Sequence, residues 1–241
     1  MNLGLSEKII STLHRFVEKK YHLRRLAKVI KKIAKFKSPI IFDIGGNEGE
    51  SLDFFLNIFN NPTIYSFEPE IKSYQKLLKK YGNHKKINLF NLAFGSKKEK
   101  LKLNINIKSS TSTFSKINKK SNYYKFKSLV LNQNKDNIFL GKEKVQIEKV
   151  DNFFRKKKIS IIDILKIDTE GFELNVIKGA IKTLRKTKIL IIEFQLNDMY
   201  LSYNPNKIEN LLKINNFILL KKLKFPFIPY EDRVYINKKL N

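Results

Sequence analysis

From residue 39 onward the chain alternates short apolar runs with amphipathic segments, and this limits the folds open to it more than any other feature. The runs "PIIFDIG", "TIYSFEP", "INLFNLAFG", "IDILKID" and "KILIIEF" are short and rich in β-branched and aromatic residues, so they read as buried strands. Between and after them, Glu50–Asn60, Ile71–Tyr81, Glu173–Leu184 and Ile208–Asn215 carry helical spacing. Strands alternating with helices imply an α/β domain whose mostly parallel sheet is covered on both faces. "KLKLNINI" alternates strictly and predicts an exposed strand or hairpin arm. Residues 108–144 are irregular and read as an insertion or lid. "FILLKKL" and "RVYINKKL" close the chain as antiparallel partners. A ligand of such a sheet belongs beyond the carboxyl ends of the strands, where the strand order reverses.

Ahead of this domain (residues 39–241), residues 1–38 form a basic amphipathic arm. Apolar residues at Ile9, Leu13, Phe16, Val17, Leu26, Val29, Ile30 and Ile33 follow helical spacing, with Ser6 placed to cap the start. The opposite face is rich in Lys and Arg. Such an arm packs on the domain or makes peripheral contact with an anionic membrane.

Forty-nine basic residues against 22 acidic ones give a net charge of +27, which would attract nucleic acid, anionic lipid or acidic glycans. The excess is nearly all lysine spread along the chain, as codon bias would produce, and arginine is scarce, so no specific nucleic-acid partner is expected. The absence of cysteine excludes disulfides, thiolate metal sites and cysteine nucleophiles. The three histidines, His14, His22 and His84, do not suggest a histidine-rich metal centre, and His84 in "YGNHKK" reads as a surface residue. There is no apolar stretch long enough to span a bilayer and no apolar signal core, so a cytoplasmic protein is expected, at most peripheral at the inner membrane face.

The stretch "IIFDIGGNEGESLDFF" (residues 40–55) carries the first chemistry. Asp43 lies near the end of a strand, Gly45 and Gly49 flank Asn47, and a helix follows. Glycine permits positive φ and close approach of a ligand, and Asn tolerates the left-handed region. Two of the glycines of a G-x-G-x-x-G fingerprint are missing, and so is the G-K-[ST] of a P-loop. Glu48 and Glu50 would repel a pyrophosphate but not a cationic ligand. A ligand with a ribose, an ammonium and a sulfonium fits better, and S-adenosylmethionine has all three. Glu68, 19 residues after Gly49 in "YSFEP", sits where an acid would accept from both ribose hydroxyls.

The second constellation is "IDILKIDTEGFELNVIKGA" (residues 161–180). Glu170 and Glu173 suit the first turn of a helix and Thr169 suits its cap. Asp168 is not explained that way, because a parallel strand delivers it to the ligand-binding edge.

"FDIGGNEGES", "YSFEP", "NLAFGS", "VDNFF" and "ILKIDTEGFELNVIKGA", in this order over roughly residues 40–195, resemble the FkbM family of S-adenosylmethionine-dependent methyltransferases. The resemblance implies a Rossmann-like class I fold, a seven-stranded sheet with an antiparallel last strand. It implies O-methylation, often of sugars in surface polysaccharides or of natural products. By position, Asp43, Gly45, Asn47 and Gly49 match the cofactor turn and Glu68 the ribose acid. Asn91 and Ala93 match the segment flanking the adenine, and Asp168 and Glu170 the acidic pair beside cofactor and acceptor. Glu193 matches the acid ending the fifth strand, and Ser109–Phe114 the family's small-hydroxyl stretch. "KVDNFF" departs from the family's usual Thr-Leu-Asp.

A sugar hydroxyl is a poor nucleophile and benefits from a base, with Asp168 the first candidate and Glu170 the second. Asp168, Glu170 and Glu193 also offer hard oxygen ligands, making magnesium a further candidate cofactor. An RNA methyltransferase, or one acting on another small natural product, is the alternative. Against RNA, "IDTEGF" is not the Asn/Asp-Pro-Pro-aromatic segment of base amino-group methylation, and "SNYYKF" is the sole candidate for a stacking platform.

Overall fold

The computed structural model describes residues 21–132, 138–226 and 228–240. The first half of the amphipathic arm, with Ser6, Ile9, Leu13, Phe16 and Val17, lies outside the described residues. Its second half is helix α1 (Leu23–Ile33), which buries Leu26 and Ile30 against the domain.

Seven strands form the main sheet: β1 (Ile40–Ile44), β2 (Thr63–Phe67), β3 (Ile87–Phe90), β7 (Ile162–Ile167), β8 (Thr187–Gln195), β9 (Phe217–Lys224) and β10 (Tyr230–Asn237). Their order is β3-β2-β1-β7-β8-β10-β9. β10 is antiparallel to both its neighbours and the other adjacent pairs are parallel. The chain steps outward from β1 to β3, then returns to pair β7 with the other side of β1. The order therefore reverses between β1 and β7, where such sheets bind ligands.

Alternation of side chains along each strand divides the core in two. On one face Phe42, Ile44, Phe67, Leu165 and Ile167 pack with Phe153, Val176 and Leu212. On the other, Ile41, Ile64, Ile164 and Ile191 pack with Leu26, Ile30, Phe55 and Leu77. Each fully buried side chain of this kind contributes about 1.5–3 kcal/mol. Phe67 is the centre of an aromatic knot, its ring centroid 4.6 Å from Phe94 and 4.9 Å from Phe153.

Two expected elements are interrupted. "INLFNLAFG" is not one strand: β3 stops at Phe90, and Ala93–Phe94 form β4 of a second sheet that also holds β5 (Glu99–Asn106) and β6 (Phe139–Glu148), in the order β4-β6-β5. The break comes at Asn91, whose side-chain amide donates to the carbonyls of Glu68 and Pro69, both at 2.9 Å. The helix expected over Glu173–Leu184 is two, α6 (Glu173–Lys178) and α7 (Ile181–Leu184). They part where Gly179 meets Gly95 so closely that a Cβ on Gly179 would lie 2.0 Å from the Gly95 carbonyl oxygen.

"KLKLNINI" is a hairpin arm: β5 (Glu99–Asn106) pairs antiparallel with β6 (Phe139–Glu148). Between them lie a 3-10 turn at Ser109–Thr111 and helix α4 (Asn122–Asn132). Tyr124 of α4 packs with Met199 and Tyr200, so the insertion docks on the loop after β8.

Candidate functional site

Two loops meet where the strand order reverses. The first leaves β1 and enters helix α2 (Glu50–Ile58). Gly45 and Gly46 donate their N–H groups to the Phe67 carbonyl at 3.0 and 3.1 Å. Gly45 (φ +93), Asn47 (φ 44) and Gly49 (φ 99) all occupy the left-handed side of backbone space. At Gly45 the reason for glycine is also tertiary: a Cβ would lie 1.8 Å from the backbone oxygen of Asp168.

Beneath this turn Asp43 is fully buried. Its Oδ2 accepts from Ser51 Oγ at 2.9 Å and Ser66 Oγ at 3.0 Å, while its Oδ1 is buried without a partner. Burial pushes its pKa up, and nearby Lys166 and the two serines oppose that. Glu68 ties the glycine turn to the end of β2, accepting from Asn47 N–H at 2.7 Å and Glu70 N–H at 2.8 Å. Burial raises its pKa to about 8. Each of its oxygens has a lone pair left for a hydroxyl donor. Asn91 shapes the turn that carries Glu68, and Ala93 is packed with Leu103, Val145 and Ile147 in the second sheet's core.

The second loop follows β7. Lys166 Nζ donates to Asp168 Oδ2 at 2.9 Å. Burial works against the Lys166 charge, but Asp168, Asp43 and Asp232 outweigh it and lift the ammonium's pKa above its ordinary value. Glu170, at φ 50, accepts from Tyr200 OH at 2.6 Å. Burial pushes the Glu170 pKa up, Lys127 opposes this, and Asp168 adds to it. Glu193, buried on β8, is pushed up by burial, then by Asp168 and Glu170. One carboxylate oxygen from each of Asp168, Glu170 and Glu193 lies within 4.8 Å of the others.

Thr169 does not cap α6; the N-cap is Phe172 and no side chain caps it. Glu173 instead turns back, its Oε1 accepting from Thr169 N–H (3.0 Å), Thr169 Oγ1 (3.1 Å) and Gly171 N–H (3.1 Å). Burial raises this carboxyl to about 7.

The insertion clasps both loops with hydroxyls. Ser109 Oγ donates to Asn47 Oδ1 (3.0 Å), Ser112 Oγ to Glu70 Oε2 (2.9 Å), Thr113 Oγ1 to the Glu170 carbonyl (2.6 Å) and Ser115 Oγ to the Gly171 carbonyl (2.8 Å). The small-hydroxyl stretch thus lies across the sheet edge. His84 is exposed and away from it.

Sequence reasoning passed over Lys166, Tyr200, Lys127, Ser51 and Ser66. Lys166 had a signal, standing two residues before Asp168 on the same face of a strand. Tyr200 and Lys127 had none, because only the docking of α4 on the 196–203 loop brings them to Glu170.

A parallel sheet that reverses between β1 and β7, with a glycine turn after its first strand, an acid after its second and an antiparallel β10 near its edge, is Rossmann-like, and solved methyltransferases share it. The family model described as "Methyltransferase FkbM domain" matches residues 43–219, and the chain belongs to that family. It is 23% identical over 170 residues to the 2-O-methyltransferase NoeI of Sinorhizobium fredii (strain NBRC 101917 / NGR234). That match covers 67% of this chain and 65% of the relative, just under two thirds of the relative's length. The magnesium protoporphyrin IX methyltransferase (ChlM) of Synechocystis PCC 6803, solved with bound SAM, shares the fold at a TM-score of 0.51 and 10% identity. That likeness covers 99% of this chain and 86% of the other.

Proposed function

We propose that the chain is an S-adenosylmethionine-dependent O-methyltransferase that acts on a sugar hydroxyl in polysaccharide or glycolipid biosynthesis. One observation carries this reading: the glycine turn with Glu68, and the cluster Asp168–Glu170–Glu193, meet at a single edge where Gly45 touches the Asp168 backbone. The residues fit the cofactor. The turn has the positive φ values that let a ligand approach the backbone, Asp43 Oδ1 is a buried acceptor without a donor, and Glu68 has acceptor capacity for two ribose hydroxyls.

When bound, the cofactor supplies an electrophilic methyl group on a sulfonium. The chain aligns the acceptor oxygen and takes its proton, and alignment supplies most of the rate. Electrostatics reverse the order of the two base candidates. Asp168 is held by the Lys166 ammonium, whereas burial pushes the Glu170 carboxyl above its ordinary range and so makes it the stronger base. Glu170 therefore takes the proton, Tyr200 holds its Oε2, and Asp168 orients the acceptor. Asp168, Glu170 and Glu193 would also hold a magnesium ion, which would polarise two vicinal hydroxyls.

Calorimetric titration with S-adenosylhomocysteine tests the cofactor site. Micromolar binding by the wild type, lost in Glu68→Ala and Asp43→Ala, is expected; no binding by the folded wild type would refute the reading. With a panel of methyl glycosides, Glu170→Gln should abolish transfer while cofactor binding stays. The 2-O position named for the relative is the first to assay. Loss of transfer on adding EDTA, restored by magnesium, would establish the metal.

A further inference from the structure

At the edge of the sheet opposite the candidate site, helix α8 (Pro205–Ile214) ends, β9 begins and β10 runs out. The three are tied there, with Lys238 N–H donating to the Asn216 carbonyl at 2.9 Å. Four large apolar side chains stand in solvent around this turn: Ile214 (74% exposed), Ile218 (38%), Leu219 (41%) and Leu220 (42%). β9 is the last strand of the sheet, and its register with β10 shifts at Leu220, which is left outside the ladder between the pairs Leu219–Tyr235 and Lys221–Val234.

Exposed lysines ring the four: Lys213, Lys221, Lys222, Lys238 and Lys239. Among the described residues of α8, β9 and β10, no acid is free to answer them. Glu209 and Glu231 are engaged by Arg233, and Asp232 by His22. α1 packs beside β9, with Arg25 Nη1 donating to the Lys224 carbonyl at 3.3 Å, and it extends the basic surface with exposed Lys28, Lys31 and Lys32.

We propose that this apex is a docking surface for an anionic lipid bilayer, with the four apolar side chains inserted among the headgroups and the lysines on lipid phosphates. An edge built only to stay unpaired would present lysine without three consecutive exposed apolar residues. A second copy of the chain would have to bring a second lysine-ringed edge against the first. An apolar patch inside a lysine ring matches an anionic interface in both respects. Docking here leaves the carboxyl edge, with Glu68 and Glu170, open on the far side.

Flotation with vesicles of phosphatidylcholine alone, or with a third phosphatidylglycerol, tests the surface with the full chain. Binding to anionic vesicles only is expected. Leu219→Ser with Leu220→Ser, and separately Lys221→Glu with Lys222→Glu, should each weaken it about tenfold or more without changing thermal unfolding. Lys97→Glu with Lys98→Glu, the same charge change elsewhere, should leave most of it. Equal loss in that control would overturn the proposal in favour of general charge attraction. Absence of wild-type binding, or wild-type affinity in both apex variants, would overturn it outright. A wild-type dimer in light scattering that Leu219→Ser with Leu220→Ser splits would reassign the apex to self-association.

Discussion

The loop after β1 and the loop after β7 share one edge and touch at Gly45, yet they are held by different forces. The first is held by backbone shape: three residues at positive φ, two N–H groups on one carbonyl, and no room for a Cβ. The second also has two residues at positive φ, Glu170 (50) and Gly171 (88), but its ties are made by charged side chains: Lys166 on Asp168, Tyr200 on Glu170, and Glu173 on two backbone N–H groups. A shape-held loop tolerates a change of pH but not an added methyl group. A charge-held loop tolerates isosteric change but shifts with protonation. On the proposed reading, the cofactor turn is thus the half fixed mainly by backbone, with Glu68 as its titrating group, and the loop after β7 is the half in which carboxylates dominate.

Gly45→Ala should break the comparison most severely. The new Cβ meets backbone rather than a flexible side chain, and at φ +93 the residue is strained as well. The expected cost is on the order of 4 kcal/mol, which thermal unfolding would record as a loss of ~10 °C or more. An unfolding temperature near that of the wild type would mean the two loops are not in contact.

Glu68→Ala comes next. It removes the acceptor of the Asn47 and Glu70 N–H groups and of the ribose hydroxyls of the proposed cofactor, so S-adenosylhomocysteine affinity should fall by about a hundredfold or more, given two hydrogen bonds to a carboxylate of about 1.5–3 kcal/mol each. Glu68→Gln should recover part of it, because the amide oxygen still accepts. Equal loss in both would mean that charge, not shape, holds this side.

Glu173→Gln probes the charge-held loop through pH. Burial raises the Glu173 carboxyl from 4.5 to about 7. The unfolded chain loses this proton near 4.5 and the folded chain only near 7, so stability falls as pH rises through that window. The variant, which cannot ionise, should remove up to about 3 kcal/mol of that fall. Urea unfolding at pH 4.5 and pH 8 would show it as a smaller difference between the two. Glu68, raised to about 8, should keep a residual slope in the same direction. A slope unchanged by Glu173→Gln would mean this carboxyl is ionised in the fold.

Tyr200→Phe should cost about tenfold in methyl transfer to a glycoside, from loss of one hydrogen bond to a carboxylate, with S-adenosylhomocysteine affinity unchanged. Ser115→Ala is the smallest, about 1 kcal/mol of stability, since it unties one hydroxyl of several that clasp the two loops. A larger effect there than at Tyr200 would make the insertion, not the β7 loop, the main support of the acceptor side.

The division between shape and charge also governs how much of the site could be read from residues alone. Gly45, Asn47 and Gly49 announce a backbone conformation, and conformational demands are written locally, because few residue types accept positive φ. Glu68 could be placed because a parallel sheet fixes the distance in sequence between the ends of neighbouring strands. The strand–helix alternation, the hairpin arm and the closing antiparallel pair are local patterns of period 2 and 3.6 and were readable for that reason. The ends of β3 and the division between α6 and α7 were not, since they depend on Asn91 reaching Glu68 and on Gly95 pressing against Gly179.

Which carboxylates are pinned and which are pushed up was beyond local reading. Asp168 and Glu170 sit two positions apart and look alike in sequence. Lys166 stands two residues before Asp168 and is local to it, but only the fold puts Tyr200 and Lys127 beside Glu170, from 30 and 43 residues away. Sequence determined the sheet, its switch point and the turn a ligand would meet, because backbone geometry and hydrophobic period are properties of short segments. Tertiary structure decided the protonation and pairing of the acidic groups, because burial and Coulomb interactions depend on distances in space that no segment encodes by itself.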